Sequence, residues 1–224
     1  MEVKCKSKLT NFKYLVMFDL ASKITGVCVW DIQTQQPIFT QIIKVNTASE
    51  LPAAELQKEI ANFFLHLSHL GYKKSEILVS KERMPTQMHG GASTIQTFLA
   101  LARSHAILDV FLYENEYATY DYIGVSPSTT HAYYKRLVGA KDIKVTKEMI
   151  RDYLIQHFSG CQNLSLDESD AVFLAKTLCD IKWDEDIKEE IRNQKRHKKT
   201  LKSTAAIEKI DKHIEFLNSL KLQQ

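Results

Sequence analysis

Only four cysteines occur in the 224 residues, Cys5, Cys28, Cys161 and Cys179, and no two stand at a C-x-x-C spacing. That scarcity excludes a thiolate zinc site or a disulfide framework and leaves reduced, mostly buried thiols as the expectation. No uninterrupted apolar stretch approaches membrane-spanning length. The amino end, MEVKCKSKLTNFKY, scatters lysines where a secretory leader needs an apolar core. The chain is therefore expected to stay in the cytoplasm. A large excess of one charge is also missing: 30 Lys and Arg stand against 27 Asp and Glu, for a net charge of +3. Affinity for nucleic acid would have to come from local patches. There is no internal repeat, and no low-complexity block other than a basic run near the carboxyl end. The length suits one domain with a sizeable core, or a domain with an appendage.

What is present alternates between strand and helix patterns. Residues 14–18 (YLVMF) form a β-rich apolar run that reads as a strand buried on both faces, ended by Asp19. A turn over 20–26 leads to a second strand over 27–30, and 37–45 (PIFTQIIKV) reads as a third, an antiparallel meander. From Leu51 the period changes: Leu56, Ile60, Phe63, Leu67 and Leu70 recur at helical spacing until Gly71. Ile77, Leu78 and Val79 make a fourth strand ending at Glu82. A glycine-paired loop over 85–91 precedes a long helix over about 92–113. Ile95, Leu99, Ala102, Ala106 and Val110 mark one face of it, and other apolar residues mark the rest. A helix apolar on most sides is expected to be covered by more than one neighbour, the sheet and a second subunit. Tyr120, Tyr122, Ile123 and Val125 suggest a fifth strand. Ser126 and Pro127 open a helix ending near Gly139, and another starts around Thr146. The last core helix, DESDAVFLAKTLCDIKW, begins where Ser165 and Glu168 match a capping box.

Four acids stand out. Asp19 and Glu82 each end a strand, and Asp167 and Asp170 stand three apart on one face in the first turns of a helix. Each has a plain structural alternative: Asp19 can cap a turn, and the helix pair can complement the helix dipole. Together they suggest more. Ends of neighbouring strands lie about 5 Å apart, and two carboxylates at about 4 Å repel by roughly 4 kcal/mol even at an effective dielectric near 20. Four such groups need cations to stay ionised. Hard oxygen ligands suit Mg²⁺ or Mn²⁺, and a pair of such ions about 3.5–4 Å apart suits phosphodiester hydrolysis.

FDLASKITG, a strand ending in Glu82, then GVSP with a downstream Gly139, and finally DESDA with its apolar helix resemble the RuvC family of Holliday-junction resolvases, especially the shorter, divergent members found in phages. The resemblance spans about 14–182, and its most specific parts are the Asp19 turn with Thr25 and Gly26, and the D-x-x-D-A of Asp167 to Ala171. It implies a ribonuclease-H-like α/β fold, a five-stranded mixed sheet with helices on both faces. It also implies a homodimer that nicks opposite strands of a four-way junction. By that resemblance Asp19, Glu82, Asp167 and Asp170 hold two Mg²⁺ ions, which Mn²⁺ can replace, and the products carry 5′-phosphate and 3′-hydroxyl ends. Residues 1–182 would form the nuclease domain and 183–224 a basic helical extension.

Two departures modify the expectation. Bacterial members place an aromatic wedge after the strand-four glutamate, whereas this chain has Arg83, Met84 and, further on, Met88. Methionine can serve as an apolar wedge between base steps or simply fill a gap in the core. The segment between Pro127 and Gly139 is longer than the family's and contributes Tyr133, Tyr134, Lys135 and Arg136; with Lys141, Lys144 and Lys147 it is the expected basic DNA-binding patch. Beyond it, RNQKRHKKTLK over 192–202 has no counterpart in the bacterial pattern and reads as an additional DNA-contacting helix. Sugar-kinase-like ATPases share the acid-to-Thr-Gly opening, but a glycine-rich second motif and a second lobe are missing. Integrases and transposases share the acid geometry yet carry an added recognition domain. A catalytically weak, dimeric branched-DNA-binding protein is the non-enzymatic alternative.

Overall fold

Strand β1 (Tyr14–Asp19) pairs antiparallel with β2 (Ile24–Asp31), which pairs antiparallel with β3 (Gln36–Lys44). The structure is a computed structural model that describes residues 9–46, 49–84, 95–120, 124–200 and 203–219. The meander is as the alternating pattern predicts, although β2 starts three residues earlier than Val27, because Ile24 to Gly26 continue the ladder opposite β3. Helix α1 (Pro52–His69) then crosses over, and β4 (Ile77–Lys81) lies parallel to β1, with the short β5 (Ala118–Thr119) parallel beyond it. The sheet order is β3-β2-β1-β4-β5, a five-stranded mixed sheet. The fifth strand differs from its sequence pattern. Its pairing is carried by Ala118 and Thr119 and by a single bridge from Val125 to Glu82, while Tyr122 and Ile123 lie outside the described residues. Gly124, at a φ of +81°, makes that bridge possible, since a Cβ there would collide with the Lys81 carbonyl oxygen.

Period-two alternation distributes the strands' side chains to two cores. Val16, Phe18, Val27, Val29, Ile77 and Val79 face α1 and α2 (Ile95–Glu114), meeting Leu56, Ile60, Phe63, Leu108 and Phe111. Full burial of each such side chain contributes about 1.5–3 kcal/mol. On the opposite face Trp30 meets Phe158 edge-on at 5.6 Å between ring centroids. This layer holds α3 (Pro127–Leu137), α4 (Lys147–His157) and the start of α5 (Leu166–Lys198). Tyr133 and Tyr134 are core residues here, packed on Phe173, which removes them from the basic surface expected of their segment. Cys28, Cys161 and Cys179 are buried thiols, and Cys5 lies outside the described residues.

Within a single chain helix α2 is covered on one side. Leu108, Phe111 and Leu112 face the core, whereas Ile95 is 73% exposed, Leu99 54% and Val110 50%. The face picked out by sequence spacing is thus the uncovered one within a single chain. Among the described residues α2 is also the one helix long and apolar enough, by length and composition alone, to cross a membrane, contrary to the reading that no stretch reaches that length. Its buried Ser104 and His105 and its core contacts fit a helix packed on a sheet.

The chain divides into two compact units, Met1–Thr177 and Leu178–Gln224. The second comprises the rest of α5, which runs on without a break, and α6 (Thr204–Ser219), tied together by Lys198 Nζ donating to Asp211 Oδ1 at 2.6 Å.

Candidate functional site

The parallel register of β1 and β4 pairs Phe18 with Lys81, and the Glu82 amide donates to the Phe18 carbonyl at 2.8 Å. The next residues, Asp19 and Glu82, therefore stand side by side. Phe18 faces the α1 side and Lys81 reaches Asp109 of α2, so alternation turns both acids to the opposite face. Asp19 does not serve as the cap of its turn: Thr25 ties it, its Oγ1 accepting from the Ala21 amide at 3.5 Å.

Helix α5 is placed over these strand ends by three local devices. The capping box forms as the sequence predicts, with the Glu168 amide donating to Ser165 Oγ at 3.3 Å and the Ser165 amide to Glu168 Oε2 at 3.0 Å. Thr40 Oγ1 donates to Glu168 Oε1 at 2.9 Å, fixing the helix start to β3. Gly26, opposite Asp19 in the ladder, leaves room for the helix; a Cβ there would collide with the Asp167 carbonyl oxygen. One carboxylate oxygen from each of Asp19, Asp167 and Asp170 consequently falls within 4.8 Å of the others. Glu82 completes the group through a hydrogen bond to Asp19. All four sequence-predicted acids are brought together.

The electrostatics record how crowded the acids are. Burial first, and then the neighbouring carboxylates, push Glu82 up to about 8. Asp19 rises to about 6, through burial and then the Asp170 charge. The hydrogen bond between them favours the protonated form of Glu82 and the ionised form of Asp19. Burial also raises Asp170, although Lys147 opposes the shift. Lys147, the first residue of α4, reaches Asp170 Oδ2 at 2.5 Å and Asp167 Oδ1 at 3.3 Å. Burial works against its ammonium, but the Asp170 bond and charge outweigh that and hold it well above the usual lysine range.

Asp19, Glu82, Asp170 and Lys147 line a cleft of about 320 Å³ whose other walls include Pro127, Thr130, His131 and Val145. Four converging carboxylates with more negative charge than one ammonium neutralises, all of them hard oxygen donors, fit a divalent cation of the Mg²⁺ or Mn²⁺ type and offer nothing to a soft metal.

The predicted DNA-contacting residues are spread more widely. Arg83 and Met84 follow Glu82 directly, Arg83 exposed and Met84 half-buried, while Met88 lies outside the described residues. Arg136 is exposed over the Tyr133 ring at 5.2 Å, Lys135 is half-buried, and Lys141 and Lys144 are exposed. Lys147 stands apart from that patch, because its ammonium is engaged by the acids. Sequence reasoning missed His131, whose charge acts on Asp170 from the cleft wall, and the Lys81–Asp109 pair behind the site. A lysine inside an apolar strand was a signal for the latter; His131 has none beyond its place one turn into α3.

No protein-family model and no curated protein sequence matches the chain. Among solved structures, a structure of Thermus thermophilus RuvC is similar at 12% identity and a TM-score of 0.52, over 73% of this chain and 92% of that one. T. thermophilus RuvC in complex with Holliday junction substrate is similar at 12% identity and a TM-score of 0.49, over 73% and 90%. The likeness is one of fold: the mixed five-stranded sheet and its helices are RuvC-like, that is, ribonuclease-H-like.

Proposed function

We propose that the chain is a divergent, phage-type RuvC-like endodeoxyribonuclease that uses Mg²⁺ to resolve four-way DNA junctions, and related branched DNA, by paired nicks. The observation that carries this reading is the convergence of Asp19, Asp167 and Asp170, with Glu82 against Asp19, drawn from strand ends and a helix and beside one cleft in a RuvC-like fold. Divalent cations held by those carboxylates would supply Lewis-acid stabilisation of the charge developing on the phosphate. The chain's own groups prepare the site. Glu82 holds a proton against Asp19 that it gives up when positive charge arrives, and Lys147 orients Asp167 and Asp170 and offsets part of their repulsion. Water adds to phosphorus, the P–O3′ bond breaks, and 5′-phosphate and 3′-hydroxyl ends result without a protein nucleophile.

Arg83, Met84, Lys135, Arg136, Lys141 and Lys144 provide the DNA contacts in this reading, the charged ones through phosphates and Met84 as an apolar group beside the branch. The uncovered apolar face of α2 takes a second copy, which supplies the second nick. Residues 1–182 act as the nuclease domain and 183–224 as an appended basic helical element, and the buried thiols suit the reducing cytoplasm. The test is incubation with a labelled four-way junction and Mg²⁺, beside an Asp19→Asn variant and a linear duplex. Paired nicks in the junction alone, reduced about 10²–10³-fold in the variant, are expected. Equal cutting of junction and duplex would mean a general nuclease, and undiminished cutting by the variant would overturn the site.

A further inference from the structure

From Lys188 to Arg196 the charges of α5 sort by face. At about 100° per residue, and with Arg192 as zero, Lys188, Lys195 and Arg196 project at about −40°, −60° and +40°, and Lys199 lies in the turn that follows the helix, its amide bonded to the Arg196 carbonyl. All five are exposed. The inner side of this stretch is centred elsewhere: Ile191 is buried, and Lys198 engages Asp211 of α6. The nearby acids interrupt the arc little. Glu190 projects at about +160° and Glu189 at its edge, at about +60°, while Glu185, one turn earlier, is engaged by Lys182 at 2.5 Å.

We propose that these four cations of α5, with Lys199 in the turn just after it, are a second nucleic-acid contact, gripping the phosphate backbone of a DNA duplex arm independently of sequence. The dimensions agree. Lys188 to Arg196 covers about 12 Å of helix axis, long enough for two or three phosphates of one duplex strand to come within reach of these cations. A membrane surface is disfavoured, because a helix lying on lipid turns an apolar face outward and here the large apolar residue of the stretch is the buried Ile191. Neighbouring arginine and lysine on an exposed helix face repel one another, and a polyanion relieves that repulsion while releasing its own condensed counterions. The inference rests on the nuclease reading only for the choice of DNA as the polyanion.

The test uses the full chain with Lys188, Arg192, Lys195, Arg196 and Lys199 all changed to Gln, an exposed helix former that leaves the fold intact by circular dichroism. Binding to a linear duplex and to a four-way junction is measured by fluorescence anisotropy in EDTA, over about 50 to about 200 mM salt. The expected result is a slope of log K against log salt shallower by about two on both DNAs, close to 0.9 for each phosphate no longer neutralised. Arg192→Lys/Arg196→Lys should keep the original slope. An unchanged slope overturns the inference, whether because the arc binds an acidic protein or because it binds nothing. A weakening confined to the junction overturns it too, since backbone contact does not distinguish the two. Failure of the wild type to cut any DNA in Mg²⁺ would remove the nuclease reading and leave this binding result standing.

Discussion

Burial raises the Glu82 carboxyl beside Asp19, and that has a measurable sign. Glu82 holds its proton up to about 8 in the folded chain against 4.5 as the ordinary value, so between those pH values the folded state binds more protons than the unfolded one. Stability supplied by that proton is present below the ordinary value and is lost as pH rises through the folded one. In EDTA the melting temperature should therefore fall from pH 5 to pH 8 relative to a Glu82→Gln variant, and Mg²⁺ should erase most of the difference. A melting temperature that rises relative to Glu82→Gln would contradict the raised Glu82 carboxyl. Gly26 gives a steric test: Gly26→Ala should cost about 1–3 kcal/mol in chemical denaturation, because the new Cβ meets the Asp167 carbonyl and must push the start of α5 away. A change below about 0.5 kcal/mol would show that α5 is not seated there. The four acids were legible in the sequence because each broke a local pattern, at a strand end or a helix start. Lys147 was legible only as a charge, since nothing in its spacing says that its ammonium turns inward to Asp170.

At the scale of elements, the acids sit where they do because β1, β4 and α5 are each anchored from behind or from the side. Helix α2 does part of this: Ser104 Oγ reaches the Ala21 carbonyl after Asp19 at 3.4 Å, and Asp109 takes the buried ammonium of Lys81, the residue before Glu82. Asp109→Asn should cost about 2–3 kcal/mol, less than a wholly buried pair because Asp109 is partly exposed, and should lower junction cleavage with it. A cost of less than about 0.5 kcal/mol in a denaturant titration would remove Lys81 from that role. Strands β1 to β4 and helices α1, α4 and α5 follow from period and capping, and Ser165 with Glu168 marked the start of α5 to the residue. The fifth strand was less legible. Its pairing depends on Gly124 folding Val125 back beside β4, a tertiary contact that leaves no periodic trace in so short a segment.

At the scale of the whole molecule, α2 links the acidic cleft to the surface. Its inner side secures the strand ends, and its outer side leaves Ile95, Leu99, Val110 and Tyr113 exposed. Sequence spacing marked that apolar stripe but could not tell a face covered by the chain's own fold from one left exposed. Leu99→Glu/Val110→Glu should convert a dimer to a monomer by sedimentation and replace paired nicks with single ones; an unchanged dimer would place the interface elsewhere. The central claim is simpler than the assembly: the four carboxylates form a seat for hard divalent cations. Anomalous diffraction from crystals soaked in Mn²⁺ tests it most directly. Mn²⁺ peaks are expected within coordinating distance of Asp19, Glu82, Asp167 and Asp170, with the Lys147 ammonium drawn back from Asp170. A cleft without a peak, with Lys147 still holding both aspartates, would contradict it.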